Sequence, residues 1–139
     1  MAVADYLADK SAYARLHRPA VYERLAPLME LGLVATCTLI DLEILFSTRT
    51  ASEYQQVLSE RAGLERLEAE QADWDRAQQV QAALAGVGLL RAVSLPDLLI
   101  AAVAERHRVT LLHYDGDFDH IREITGQNMD WIRPAGSIP

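Results

Sequence analysis

Seven consecutive residues, Leu98–Ala104 (LLIAAVA), carry no polar side chain, and the residues around them make the stretch a helix. Ser94-Leu95-Pro96-Asp97 supplies a hydroxyl cap, a proline suited to the first turn and an acid three residues after the cap. Arg106, His107 and Arg108 place positive charge at the other end, where the helix dipole favours it. A helix that is apolar all round has to be covered on more than one side. Val109–His113 (VTLLH) follows as a strand rich in leucine and β-branched residues. A buried helix leading straight into a strand calls for a sheet layered with helices.

The same alternation runs through the chain. Val3–Ala8 reads as a first strand ending at Asp9, and Ser11 is placed to cap a short helix through Ala12–Leu16. Pro19 opens a second helix, in which Val21, Leu25, Leu28 and Met29 recur at helical spacing and which Gly32 ends. Leu33–Cys37 is a second strand. Thr38 caps a helix over Leu39–Ser47, and Thr50 with Glu53 forms a capping box for another that runs to Arg61. Ala72–Ala85 is amphipathic, with Trp74, Ala77, Val80 and Leu84 on its apolar stripe, and Gly86 and Gly88 break it. Phe118–Thr125 is a last helix and Met129–Ile132 a last strand. Strands alternating with helices imply parallel βαβ units, hence an α/β fold with helices on both faces of a mainly parallel sheet. Without a linker, repeat or low-complexity segment, residues 1–139 read as one domain.

Composition removes several alternatives. Half of the 139 residues are apolar and the mean hydropathy is zero, which supports a core and excludes a disordered chain. Cys37 has no partner for a disulfide, and with no base beside it reads as a small buried strand residue. The most apolar run, residues 31–40, stops at Asp41, short of the roughly 18 residues a bilayer requires. The first ten residues carry acids where a signal peptide needs basic charge. The expectation is a soluble, cytoplasmic protein with no membrane partner. Thirteen basic residues, twelve Arg and Lys10, face 20 acids for a net charge of −7. Spread evenly, that charge would argue against a nucleic-acid partner.

The acids are not spread evenly. In an open parallel sheet, ligands bind beyond the carboxyl ends of the strands. Asp9 ends the first strand, Asp115 and Asp117 occupy the turn after VTLLH, and Glu43 and Asp97 lie on helices that start from the same edge. Carboxylates gathered in one pocket repel one another and need protons or cations to compensate. Hard oxygen ligands without a paired His or Cys favour Mg²⁺ or Mn²⁺ over zinc. Ions held in this way activate water and stabilise the leaving oxygen of a phosphodiester. Singly, each acid has an ordinary role. Asp97 completes a capping box with Ser94, Asp115-Gly116 is common turn chemistry, and Asp9 closes a strand. Glu43 alone would face solvent, yet Leu42, Ile44, Leu45 and Phe46 around it put it at a boundary or in a pocket. The combination points to metal-assisted hydrolysis of a nucleic-acid backbone.

Four segments carry a resemblance: Leu7-Ala8-Asp9-Lys10-Ser11-Ala12, Leu42-Glu43-Ile44-Leu45, Pro96-Asp97-Leu98-Leu99-Ile100-Ala101-Ala102 and Leu111-Leu112-His113-Tyr114-Asp115-Gly116-Asp117-Phe118. In this order and approximate spacing the chain resembles PIN-domain ribonucleases of the VapC toxin type. The resemblance covers nearly the whole chain. It implies a three-layer α/β/α PIN-like fold and a Mg²⁺- or Mn²⁺-dependent endoribonuclease, the toxin of a type II toxin–antitoxin pair. By the same resemblance Asp9, Glu43, Asp97 and Asp115 are catalytic and hold metal, with Asp117 as a supporting fifth ligand. Ser11 falls where the family has a small hydroxyl residue near metal and scissile phosphate. A homodimer and a VapB-type antitoxin are the implied protein partners, and RNA the substrate. His113 departs from the pattern, because many relatives carry Thr or Ser there; it reads as a structural histidine at a strand end, the alternatives being a hydrogen bond in place of the hydroxyl or a contact with RNA.

The remaining polar residues fit supporting roles. Asp41 is about 200° around the helix from Glu43, so the two cannot face one metal, and it reads as an early-turn acid at the helix's positive end. Asp119 is expected to be solvated. Lys10, Arg15 and Arg49 are placed to meet substrate phosphates or to form surface ion pairs. Trp74 and Tyr54 suit packing or a dimer surface, and His17, His107 and His120 lack metal-ligand spacing. The rival to the enzyme is a PIN-like scaffold without activity, against which the complete acid set speaks. A phosphorylated receiver would need a lysine after a late strand, and a phosphatase of the nucleophilic-Asp type an Asp-x-Asp-x-Thr after the first; neither is present.

Overall fold

The computed structural model describes residues 2–139. In chain order its elements are β1 (Tyr6–Ala8), α1 (Lys10–Tyr13), α2 (Pro19–Glu30), β2 (Val34–Thr36), α3 (Thr38–Phe46) and α4 (Ala51–Arg61). They continue with β3 (Glu65–Arg66), α5 (Gln71–Gly86), α6 (Leu95–His107), β4 (Thr110–His113), α7 (Asp117–Thr125) and β5 (Met129–Trp131). The sheet has the order β3-β2-β1-β4-β5, and each neighbouring pair is parallel. The chain therefore winds outward from β1 through β2 to β3, then crosses back to β4 on the other side. That reversal puts a topological switch point between β1 and β4, where a crevice opens beyond the strand ends.

The pleat sorts the strand residues into two cores. Leu7, Ala35, Leu111 and Met129 enter the larger cluster with α5, α6 and α7, whereas Ala8, Val34, Leu112 and Ile132 enter the other with Ala12, Val21 and Leu25 of α1 and α2. Register agrees with this division, Leu7 lying opposite Leu111 and Ala8 opposite Leu112. The arrangement is the expected three-layer α/β/α fold. Residues Leu98–Ala104 of α6 are all buried, as their uniform apolarity requires.

Several local expectations change. Asp9, not Ser11, caps α1, its side chain accepting from the Ser11 N–H. Cys37 rather than Thr38 occupies the cap position of α3, and it is buried just beyond β2. β1 starts at Tyr6, three residues later than the apolar run suggests. The two residues of β3 form an edge strand, where Glu65 also accepts the Val3 and Ala4 N–H groups. Trp74 is 56% exposed, so the apolar stripe of α5 starts at Ala77.

Candidate active site

Each acid of the expected set reaches the carboxyl edge of the sheet from a different element. Asp9 follows β1, and one of its carboxylate oxygens, Oδ2, accepts the Ser11 N–H at 2.9 Å. The other, Oδ1, is buried with no hydrogen-bond partner. Glu43 lies on α3; its Oε1 is likewise buried and unpartnered, and its Oε2 is 3.6 Å from the Lys10 ammonium. Asp97 sits in the first turn of α6, where Ser94 Oγ accepts its N–H at 3.4 Å. Asp115 Oδ1 accepts the Asp117 N–H at 3.0 Å, which folds the turn after β4 back on itself.

Carboxylate oxygens of Asp97, Asp115 and Asp117 lie within 4.8 Å of one another. Asp9 and Glu43 stand outside that close triad but within electrostatic reach of it. Burial, then the charges of Asp9, Asp115 and Glu43, push Asp97 up to about 7, while the Ser94 hydroxyl holds it down. Asp9 is raised chiefly by burial and further by Asp115, against the opposing Ser11 and Lys10 hydrogen bonds. Glu43 is raised by burial and by Asp9, with Lys10 opposing. Asp117 is raised by burial and by Asp115, with the Ser94 backbone N–H opposing.

The residues meet the requirements of a hard divalent cation. The close cluster consists of carboxylates alone, two further carboxylate oxygens are buried without a donor, and like charges raise the pKa of four of the acids. A buried polar atom left unpaired is costly, and a cation relieves that cost for several oxygens at once. The double role of Asp9 shows how the sequence builds this: one oxygen starts α1, the other stays free.

The surrounding residues hold the edge in place. Ser11 Oγ accepts the Tyr114 N–H at 2.8 Å, tying the loop after β1 to the turn after β4 across the switch point. The Arg15 guanidinium lies over the Tyr114 ring at 4.4 Å, and the Tyr114 hydroxyl is bonded to Ile138. His113 is buried between Phe118 and Trp131, and its Nδ1 accepts the Asp115 N–H at 3.2 Å. The histidine is a buried strand-end residue, and its ring also bonds the backbone of the acid that follows. Burial lowers its pKa to about 4, which keeps the ring neutral and Nδ1 free to accept.

Two residues prove more engaged than their sequence positions suggest. Asp41 is the first-turn acid of α3 as expected, but it does more than meet the helix dipole. It is buried, accepting from Thr36 Oγ1 at 2.7 Å, Arg61 Nε at 3.0 Å and Arg66 Nη1 at 3.0 Å. The Arg61 guanidinium also covers the Tyr13 ring, so this cluster ties α3 to α1, α4 and the β2–β3 edge. Asp119 is not merely solvated, since it accepts from Trp131 Nε1 at 3.0 Å. Asp73, unremarked in the sequence, is buried; it completes a capping box with Glu70 and binds Arg106 at 2.8 Å. The Glu70-x-x-Asp73 spacing was the available signal.

The PIN domain family matches residues 6–124. The chain is 44% identical over 133 residues to Ribonuclease VapC21 of Mycobacterium tuberculosis, covering 95% of this chain and 96% of that protein. It is 42% identical to Ribonuclease VapC51 of the same organism, covering 96% of each. Among solved structures, DNA-bound VapBC from Salmonella typhimurium aligns over 94% of this chain and all of that one, with a TM-score of 0.74 at 14% identity. VapBC2 from Rickettsia felis, bound to a promoter DNA fragment, aligns over 90% and 96% with a TM-score of 0.72 at 17% identity. At such identities these structures speak to the fold alone.

Proposed function

The chain belongs to the PIN-domain family, and from that premise we propose that it is an endoribonuclease toxin, cutting RNA by metal-dependent hydrolysis at the acidic edge between β1 and β4. The observation that carries this reading is the convergence of five acids from separate elements, with buried oxygens of Asp9 and Glu43 unpaired. Asp97, Asp115 and Asp117, with Asp9 and Glu43, would hold Mg²⁺ or Mn²⁺. When bound, such an ion polarises the phosphoryl group, favours ionisation of water and stabilises the leaving oxygen.

The chain's own groups supply the rest. The carboxylates orient the attacking water and take up its proton. Ser11 Oγ accepts the Tyr114 N–H while its hydroxyl hydrogen faces the Asp9 carboxylate, which sets the hydroxyl between the acid and the turn after β4. Lys10, beside Glu43, offers positive charge to the substrate backbone. The Asp117 N–H and His113 ring fix Asp115 from two directions, which limits the reorganisation needed during reaction.

The same reading makes 1–139 a single domain that works in the cytoplasm as a homodimer, silenced by a VapB-type antitoxin that covers the acidic pocket. Among the described residues, no helix is long and apolar enough to cross a membrane. Incubation of the purified protein with total RNA and Mn²⁺ should give discrete cleavage products that a chelator prevents. Asp9→Asn and Asp97→Asn should each lower the rate by about two orders of magnitude or more. Full activity in either variant would overturn the assignment of the site.

A further inference from the structure

Beyond β5 the chain doubles back toward the acidic edge. Arg133 Nε donates to the Ala20 carbonyl at 2.6 Å, which pins the start of this segment to α2. The Ser137 N–H and hydroxyl both donate to the Pro134 carbonyl, at 3.0 and 2.6 Å, closing a turn in which Gly136 takes a φ of +76°. Residues 134–137 are exposed, whereas Ile138 is half-buried against the core cluster that includes α1 and α2. The turn brings Ile138 onto Tyr114. The Tyr114 hydroxyl accepts the Ile138 N–H at 2.7 Å and donates to the Ile138 carbonyl at 2.9 Å.

Tyr114 directly precedes Asp115, and the turn between them is gripped from both faces of the sheet. On the face of α7, the His113 ring packs against Phe118 and accepts the Asp115 N–H. On the face of α1 and α2, Tyr114 is held at three places. Ser11 Oγ takes its N–H, its ring lies beneath the Arg15 guanidinium and edge-on to Trp131 at 5.2 Å, and its hydroxyl is bonded to Ile138. Asp115 then accepts the Asp117 N–H, so two of the three carboxylates in the close cluster depend on this one turn. A phenylalanine would fill the same space as Tyr114. A buried hydroxyl is costly unless bonded, and here its bonds go to the returning segment alone.

We propose that residues 133–138 form a strap whose closure on the Tyr114 hydroxyl positions Asp115 and Asp117 for the cation. This rests on the divalent-cation reading of the acidic edge. It adds a dependence that reading does not contain, on a segment that supplies no ligand. Tyr114 and Ile138 are positioning residues, acting on the carboxylates through the turn. Such coupling is reciprocal: the factor by which the closed strap tightens the cation is the factor by which the cation tightens the strap.

The test reads each direction of the coupling. Tyr114→Phe keeps the ring and removes the hydroxyl; Ile138→Pro removes the N–H that the hydroxyl accepts. Each should weaken Mn²⁺ binding, followed by electron paramagnetic resonance, by about tenfold, and the double variant should lose no more than either alone. In the intact protein Mn²⁺ should slow hydrogen exchange at the Ile138 N–H by a similar factor, and in Tyr114→Phe it should have no such effect. Val21→Ala, in the same core cluster but remote in sequence from the turn, controls for stability: it should lower the urea midpoint and leave Mn²⁺ affinity unchanged. Unchanged Mn²⁺ affinity in Tyr114→Phe and Ile138→Pro overturns the strap and leaves the cation site standing. Additive losses in the double variant, or an equal loss in Val21→Ala, mean general loosening and overturn the strap as well. If the intact protein takes up no Mn²⁺, both the cation site and the strap's role in it are overturned.

Discussion

His113 and Asp97 are buried titratable groups whose pKa values are pushed toward each other's ordinary range, and their effects on stability oppose. The His113 ring titrates near 4 in the folded chain and near 6.5 when unfolded, so the unfolded state takes up the proton first as pH falls. Stability from this residue is therefore present above about 6.5 and lost toward about 4. Asp97 titrates near 7 when folded against 3.8 when unfolded, so its folded form holds the proton longer. Its contribution runs the other way: stability grows as pH falls from about 7 toward about 4, reinforced by the raised Asp9, Glu43 and Asp117. Across its window His113 is worth on the order of 3 kcal/mol and Asp97 on the order of 4 kcal/mol. In chelator, Asp97→Asn should shift the balance toward greater relative stability at pH 7 than at pH 5, and His113→Gln should shift it toward pH 5. Urea midpoints across this range check the pair; shifts of the same sign in both variants would refute the assignment. The role of His113 was partly legible, because a residue two positions before a strand-end acid can bond its N–H. What its neighbours Phe118 and Trp131 do to its charge was not, since they come from elements further along the chain.

At the scale of elements, helices were readable wherever a cap and an apolar period coincided. Thr50 and Ser94 both cap as expected, accepting the Glu53 and Asp97 N–H groups. Only half of each box forms: the Glu53 carboxylate accepts the Arg49 N–H instead of that of Thr50, and at α6 the Ser94 N–H stands by Asp117 while the Asp97 carboxylate remains with the acid cluster. The edge strand β3 was not readable, because Glu65 and Arg66 have neither alternation nor length. Nor was the brace of Thr36, Asp41, Arg61 and Arg66, whose members are up to 30 residues apart and meet only once α4 has folded back on α3. Asp41→Ala would leave the Arg61 guanidinium buried without its carboxylate, and should cost about 3–5 kcal/mol of stability in urea unfolding. A loss below about 1 kcal/mol would mean that this cluster is no more than a surface pair.

For the whole molecule, the net charge of −7 takes on a definite location. With all five ionised, the acids of the proposed site account for five of those charges, leaving −2 for everything else. Two divalent ions would return four, so the loaded protein would carry about −3. The parallel sheet explains how residues spread from position 9 to 117 converge, since each strand ends at the same edge and the switch point opens a crevice between β1 and β4. The parallel direction of the pairings among β1, β2, β4 and β5, though not the pairing of β3, and the strand-end positions of the acids followed from the alternation of strands and helices. The strand order did not, because it depends on which face α5 and α6 cover on the return crossing. The central claim is that this crevice is a divalent-cation site, and Mn²⁺ binding followed by electron paramagnetic resonance at neutral pH measures it directly. The intact protein and Asp75→Asn, a change on an exposed helix face, should take up Mn²⁺ alike, whereas Asp97→Asn and Asp115→Asn should lose it while remaining folded. Equal uptake by all four proteins, or none by any, would contradict the account.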